Sequence, residues 1–266
     1  MIRSMHIGVT GMKAQELKMA TISNNLSNVN TNGFKRQNLQ FKDLMYQTLR
    51  EPGVYNPEGS VAPAGIEVGM GVRVAATVRN FSQGVIKPTG NDYDIAISGT
   101  GFFQIELPSG AIAYSRDGQF KRSGDGTLVT ADGFRLFPEI TVPEGFDTIM
   151  VSRDGAVSAV KHGTTGAVPE NVELGQIELA SFINPSGLQG LGSNLYVETA
   201  SSGVPLIARP GEDGMGTLHQ QNVEASNVEI VDEMMGMIAA QRAYEIMSRS
   251  ISVSDEMLQT ANNLKR

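Results

Sequence analysis

The sequence predicts an α+β protein in which long N- and C-terminal helices form a coiled-coil-like domain around a central, mostly antiparallel β domain. Three observations carry this expectation. Apolar side chains recur every seven residues at both ends of the chain, Asp-Gly turns separate short β-prone runs in the middle, and a segment rich in proline and glycine interrupts the early chain. The boundaries read as an N-terminal helix within 1–36, a connector over 37–70 with an extended Pro/Gly-rich segment at 46–65, a β domain over 71–225 and a C-terminal helix over 226–266.

At the N-terminal end Met5, Met12, Met19 and Leu26 stand seven residues apart, and Ile22 and Val29 open a neighbouring column. This spacing is the seam of a coiled coil, which Gly8 and Gly11 weaken in its first turns. A helix is expected from residue 4 to about 30. Its last turns are unusual, because Asn24, Asn25, Asn28, Asn30 and Asn32 crowd together and no charge appears between Lys18 and Lys35. Exposed helices normally carry Lys, Glu or Arg, so an uncharged amide face is expected to meet a protein surface and set register there by hydrogen bonding. Asn32 and Gly33 suit the left-handed conformation that ends a helix.

The segment Glu51 to Gly65 contains Pro52, Pro57 and Pro63 together with Gly53, Gly59 and Gly65. Neither helix nor ladder runs through such a stretch, which reads as a linker or a functional loop. Beyond it, Asp-Gly pairs at Asp117, Asp125, Asp132, Asp154 and Asp213 punctuate runs such as "TLVTADGFRLF" and "TIMVSRDGAVSAV". Asp-Gly accepts the positive φ angles of tight hairpin turns, so antiparallel strands are expected here.

At the other end Ile230, Met237, Tyr244, Ile251 and Leu258 keep the seven-residue column, backed by Ala240, Met247 and Ala261, and no proline follows Asn227. Ser226 with Glu229 matches a capping box, and Asp232 and Glu233 place negative charge at the positive end of the helix dipole. The terminal stripes pair either within one chain or between chains. The length of the C-terminal column and the thirteen methionines, many of them on these stripes, favour packing between chains.

Composition removes several functions. The formal charge is 21 − 28 = −7 and no basic cluster longer than a pair occurs, so a phosphate backbone is not the expected partner. Cysteine is absent, which removes disulfides, thiolate catalysis and zinc-thiolate sites. No run approaches the ~20 apolar residues of a spanning helix, and the first residues lack the pattern of a cleavable signal peptide, so any export is expected to use another route. His6, His162 and His219 lie in three different regions, and no H-E-x-x-H, G-x-S-x-G or Walker sequence is present. "GMGVRV" and "GTGFFQ" lack the third glycine of a dinucleotide site and read as turns or bulges. Asp92, Asp94 and the acid of "SGDGT" read as solvated turn carboxylates, since no further ligands follow at useful spacing.

Five stretches together resemble one family. "SNNLSNVNTNGFKR", from Ser23 to Arg36, resembles the N-terminal signature of the flagellar rod and hook proteins, usually written with Ala in place of Ser23. "SNVEIVDEMMGMIAAQRAYEIMSRSISVSDEML", from Ser226 to Leu258, resembles their C-terminal signature, and "DYDIAISGTGFFQI", "YSRDGQFKRSGDGTLVTADGFRLFP" and "NLYVETASSGVP" resemble phrases of their shared β domain. The length and the segment "YQTLREPGVYNPEGS" are most similar to the distal rod branch, with the rod protein of similar size from the proximal part as the alternative. "HQQNVEAS" stands where relatives often read Gln-Gly, which leaves the turn at Gln221 open.

The resemblance implies a mechanical part without catalysis, cofactor or small-molecule substrate. Its subunits form an open helical filament with a hollow core, a rigid shaft transmitting torque from the proximal rod proteins below to the hook protein above. Envelope ring proteins surround it, and the flagellar type III apparatus exports it without cleavage, so that it spans the periplasm to the outer membrane within the basal body. Subunit packing is then expected from Met5, Met12, Met19, Ile22, Asn24, Asn25, Leu26, Asn28 and Val29 on the first helix. On the last helix it is expected from Ile230, Met234, Met237, Gln241, Tyr244, Met247, Ile251 and Leu258. Rigidity is assigned to Tyr46, Glu51, Pro52, Gly53, Pro57 and Pro63, where fixed φ angles lower the entropy lost on docking. A secreted β-rich module for glycans is the remaining alternative, for which a chain with no tryptophan and 6% aromatic residues is poorly furnished.

Overall fold

The computed structural model describes residues 2–53, 64–143, 145–146, 148–161 and 170–264. It is an α+β arrangement: an N-terminal helix α1 (Ile2–Ser27), a central, mostly antiparallel β-rich region, and a C-terminal helix α2 (Ile230–Asn263). The chain divides into two compact units. One comprises Met1–Ser27, Gln37–Val78 and Glu229–Arg266, the other Asn28–Arg36 with Arg79–Val228.

In the first unit, α1 draws on the strong helix formers of "MKAQELKMA" and stops at Ser27, short of the expected residue 30. The asparagines end it early. Asn28 uses its carbonyl to accept from the Thr31 N–H at 3.2 Å and its side-chain oxygen to accept from the Thr31 hydroxyl at 3.1 Å, which turns the chain away from the helix. The 34 residues of α2 rise about 50 Å at 1.5 Å each. Its N-cap is Glu229 and no side chain caps it. The expected capping box does not form, because the Ser226 hydroxyl instead accepts from the Val228 N–H at 3.3 Å, two residues on. The described parts of the connector include paired strands. Gln37–Asp43 pairs with Val72–Arg79, and Tyr46–Arg50 pairs with Ile66–Gly69 as a hairpin in the register Tyr46↔Gly69 and Thr48↔Glu67.

In the second unit, Phe102–Glu106 is the central strand. It pairs with Ile112–Ser115, with Arg135–Phe137 and with Leu179–Ser181, in registers such as Ile105↔Ala113, Leu136↔Ile105 and Leu179↔Phe103. Both of its faces are covered. Phe103 and Ile105 point into a core with Ile95, Phe120, Leu136 and Leu218, whereas Phe102 points into a second cluster with Tyr114, Phe182 and Tyr196. The second cluster is held edge to face, with Phe182 centred 4.8 Å from Tyr114 and 5.9 Å from Phe102. Burying each such ring contributes about 2–3 kcal/mol. A three-stranded sheet of Thr148–Val151, Ala156–Lys161 and Glu170–Gln176 completes the unit's larger pairings.

The turns follow the Asp-Gly signal at four of its five positions, where the glycine has positive φ; Gly118 differs, standing instead against the Ile95 carbonyl with no room for a Cβ. The turn at Gln221 is kept without a glycine: Gln221 itself takes φ 60°, and its carbonyl accepts from the Thr89 N–H at 2.8 Å.

Candidate subunit-packing surfaces

The two helices meet within one chain, where the stripes favoured packing between chains. A Cβ on Gly8 would come within 2.9 Å of Ile251, one on Gly11 within 2.6 Å of Met247 and one on Gly236 within 3.4 Å of Ile22, so the helices run antiparallel. Small residues set this approach: Ala14 and Ala240 are buried alongside Ile22.

One face of α2 is used in this way, and it holds Ile251 of the predicted column and Met247, which backs that column. Met237 and Leu258 share its heptad positions and are half-buried, while Ile230, Met234, Gln241 and Tyr244 lie exposed. Over its 34 residues α2 buries only Glu233 and Ala240. A second apolar stripe, Val231, Met235, Ile238, Ile246, Val253 and Met257, faces solvent with exposures of 42–70%. Val231 with Ile238 and Ile246 with Val253 each stand seven residues apart, but in different columns, so the stripe is one helix face and no single heptad column, and the sequence reading passed over it. On α1, Met5, Met12, Met19 and Leu26 are half-buried, Ile22 is buried and Asn24 is exposed; beyond the helix, Asn28 and Val29 are half-buried.

Asn25 departs from the expectation of an amide facing a neighbouring copy. It is 1% exposed, its Oδ1 accepts from the Gln37 N–H at 3.0 Å, and its Nδ2 donates to the Gln37 carbonyl at 2.9 Å and to Glu233 Oε2 at 3.2 Å. The reason is local: the half-buried strand start needs partners for both backbone groups, and a carboxamide offers a donor and an acceptor in one plane. Asn227 does similar service in the other unit, accepting from the Arg36 N–H at 2.7 Å and donating to the Asn80 carbonyl at 2.8 Å.

The rigidity segment begins in the hairpin. Every residue of Tyr46–Arg50 is exposed, the Tyr46 ring lies over Gly69, and Glu51, Pro52 and Gly53 lead out of it, also exposed. Pro57 and Pro63 lie outside the described residues. A two-stranded ribbon exposed in this way is marginally stable alone in water and gains from a covering surface.

A buried ionic cluster went unpredicted. Lys35 Nζ donates to Glu224 Oε1 at 2.6 Å and to the Ser82 carbonyl at 2.8 Å, while the Gly84 N–H donates to the same Glu224 oxygen at 2.8 Å. Arg116 Nε stands 3.3 Å from Glu224 Oε2, and its other nitrogens donate to the carbonyls of Gly101 and Gly99 at 2.8 and 2.7 Å. Burial pulls the Lys35 ammonium below the ordinary lysine range, Glu224 opposing this and Arg116 adding to it; burial likewise lowers Arg116. The one available signal was Lys35 itself, a cation closing a long uncharged run.

Among the described residues no His, Asp and Glu cluster suits a metal, and no helix is long and apolar enough to cross a membrane. Residues 5–35 match the model of the flagella basal body rod protein, 96–159 that of the flagellar hook protein FlgE/F/G D1 domain, and 219–264 that of the flagellar basal body rod FlgEFG protein C-terminal region. Over 264 residues, 99% of this chain and all of the relative, the sequence is 49% identical to the flagellar basal-body rod protein FlgG of Buchnera aphidicola subsp. Acyrthosiphon pisum. The chain belongs to the FlgG family. The FlgG of Borreliella burgdorferi is 48% identical over the full length of both chains, whereas the FlgF of Caulobacter vibrioides reaches 31% over 98% of this chain and 97% of its own. FlgG membership is therefore favoured over the FlgF alternative. The matched terminal regions contain most of α1 and α2, the helices that carry the apolar stripes.

Proposed function

We propose that this chain is a structural subunit of the flagellar distal rod, polymerising into an open helical filament within the basal body. The observation that carries this is α2, a 34-residue helix that buries two residues and leaves a full second apolar stripe in solvent. A stripe of that length is unfavourable in water unless covered, and a contact between copies that does not close back on itself covers it by building a filament.

Within the filament, one face of α2 packs on α1 of its own chain and the other packs on neighbouring copies in a coiled-coil-like layer around the hollow core. Ile230, Met234 and Tyr244, with Asn24 on α1, lie on the side available to neighbours. The hairpin beginning at Tyr46 and the segment from Glu51 through Pro63 wedge between copies and stiffen the shaft. The β-rich region, taken as 71–225, forms the outer layer. Proximal rod proteins lie below, the hook protein above and envelope rings around, and the chain arrives through the type III export apparatus. It acts mechanically, transmitting torque, with no catalysis.

The test places an acid in the exposed stripe. Val231→Asp and Ile238→Asp change solvent-facing positions, so folding stability should move by no more than about 0.5 kcal/mol. Assembly into tubes seen by electron microscopy, and swimming of cells carrying the variant, should be lost. Tubes of normal length and number from the double variant would overturn the proposal.

A further inference from the structure

Asn32 is the one asparagine of the chain that a glycine follows. Glycine puts no side chain in the way of ring closure, in which the Gly33 nitrogen attacks Cγ of Asn32. The new bond forms between that nitrogen and Cγ, and the side-chain nitrogen leaves with the displaced proton as ammonia. Water then opens the cyclic imide. Opening at one carbonyl leaves aspartate, while opening at the other leaves isoaspartate, which adds a methylene to the main chain.

The folded chain holds both ends of the Asn32–Gly33 peptide group. Its N–H donates to the Glu224 carbonyl at 2.8 Å, and its carbonyl accepts from Asn194 Nδ2 at 2.8 Å. Gly33 is buried at φ 69°, where a Cβ would stand 2.7 Å from the Asp117 nitrogen, so the plane has no room to turn toward the Asn32 side chain. Asp117, Asn194 and Glu224 are distant in sequence, so these restraints exist only after the β-rich unit has closed. Asp213–Gly214 is the contrast. Both residues are exposed, a Cβ on Gly214 would meet no atom within 4 Å, and among the described residues no hydrogen bond engages the Gly214 N–H. The same ring closure there, losing water in place of ammonia, is open to the folded chain.

We propose that Asn32–Gly33 is a deamidation site that folding switches off, so that it marks chains which stay unfolded. Isoaspartate at this position moves Gly33 off the Glu224 carbonyl and displaces Lys35, two residues on, from Glu224 and the Ser82 carbonyl. A chain altered before folding then lacks the alignment that pairs its buried charges, and refolding does not restore it.

Full-length protein is incubated in mildly alkaline buffer with and without guanidinium chloride. Peptide mass spectrometry follows the mass gain at Asn32, and the chromatographic shift of the isoaspartyl peptide follows Asp213. Asn32 should react in the denaturant and slow by at least about tenfold in buffer, whereas Asp213 should change by less than about twofold. Chains carrying isoaspartate at position 32, returned to buffer, should melt at a lower temperature than unreacted chains. Equal rates at Asn32 in the two conditions, no reaction in the denaturant, or a slowing that Asp213 shares would overturn the gated site. Isoaspartyl chains that regain wild-type melting would overturn the marking.

Discussion

Asn25 holds Gln37 by both sides of its backbone, accepting the N–H at 3.0 Å and donating to the carbonyl at 2.9 Å. The pairing copies what a neighbouring strand would do, and it lets Gln37–Asp43 begin beside the last turns of α1. The same amide nitrogen reaches Glu233 on α2 at 3.2 Å, so one side chain sets the register of three segments. Replacing Asn25 with Ala takes the side-chain partner from the N–H and carbonyl of the half-buried Gln37 and from Glu233, which costs about 2 kcal/mol. Thermal unfolding followed by the far-ultraviolet helix signal should show the loss. A change below about 0.5 kcal/mol would mean that water replaces the amide without penalty.

Among the described residues Glu224 is the sole anion between Lys35 and Arg116, in a site sealed from solvent. Glu224→Gln keeps the shape but leaves two buried cations facing a neutral amide. Removing one partner of a buried ion pair costs about 3–5 kcal/mol, since the remaining charge stays desolvated. Lys35→Met should cost less, because Glu224 keeps Arg116 and the Gly84 N–H. Denaturant titration of the β-rich unit, followed by tyrosine fluorescence, measures both. Equal losses in the two variants would contradict the central place given to the anion.

Asp117 yields a pH dependence of definite sign. Burial pushes its carboxyl up from 3.8 to about 6, against the Gln119 N–H and the Asn194 side chain, which lower it. The folded state therefore holds this proton more tightly than the unfolded one. Its unfavourable contribution is absent below about pH 3.8, grows as the pH rises through the window to about 6, and is complete above it. Asp117→Asn removes the titration. The stability of the variant relative to wild type should thus increase from pH 4 to pH 7, by up to about 2 kcal/mol once solvent screening is allowed for. Melting curves at both pH values check this, and a difference that stays flat or falls with pH would reverse the assignment.

Much of the fold was legible because its signals are local. The heptad columns locate both helices, and Asp-Gly pairs locate turns, since each depends on backbone geometry over a few residues. The failures are equally instructive. Ser226 and Glu229 have the spacing of a capping box, yet Ser226 bonds to Val228 and the helix opens later. Asn25 was read as a contact to another copy because its own partners, Gln37 and Glu233, lie 12 and 208 residues away. Lys35 and Glu224 are separated by 189 positions, and no periodicity connects them.

The amino-acid order alone was enough to place one long amphipathic helix before the antiparallel strands and one after them in the chain, and to mark the uncharged run before Lys35. It could not assign faces. A helix stripe states that something apolar must cover it, while the identity of the cover depends on which distant segments the folded chain brings near. Gly8, Gly11 and Gly236 let α1 and α2 approach along one face of α2, and that approach leaves Val231, Ile238 and Ile246 open to solvent. Local pattern is a property of neighbouring residues and survives in any context; partnership is a property of chain closure, and exists only once the whole chain has folded.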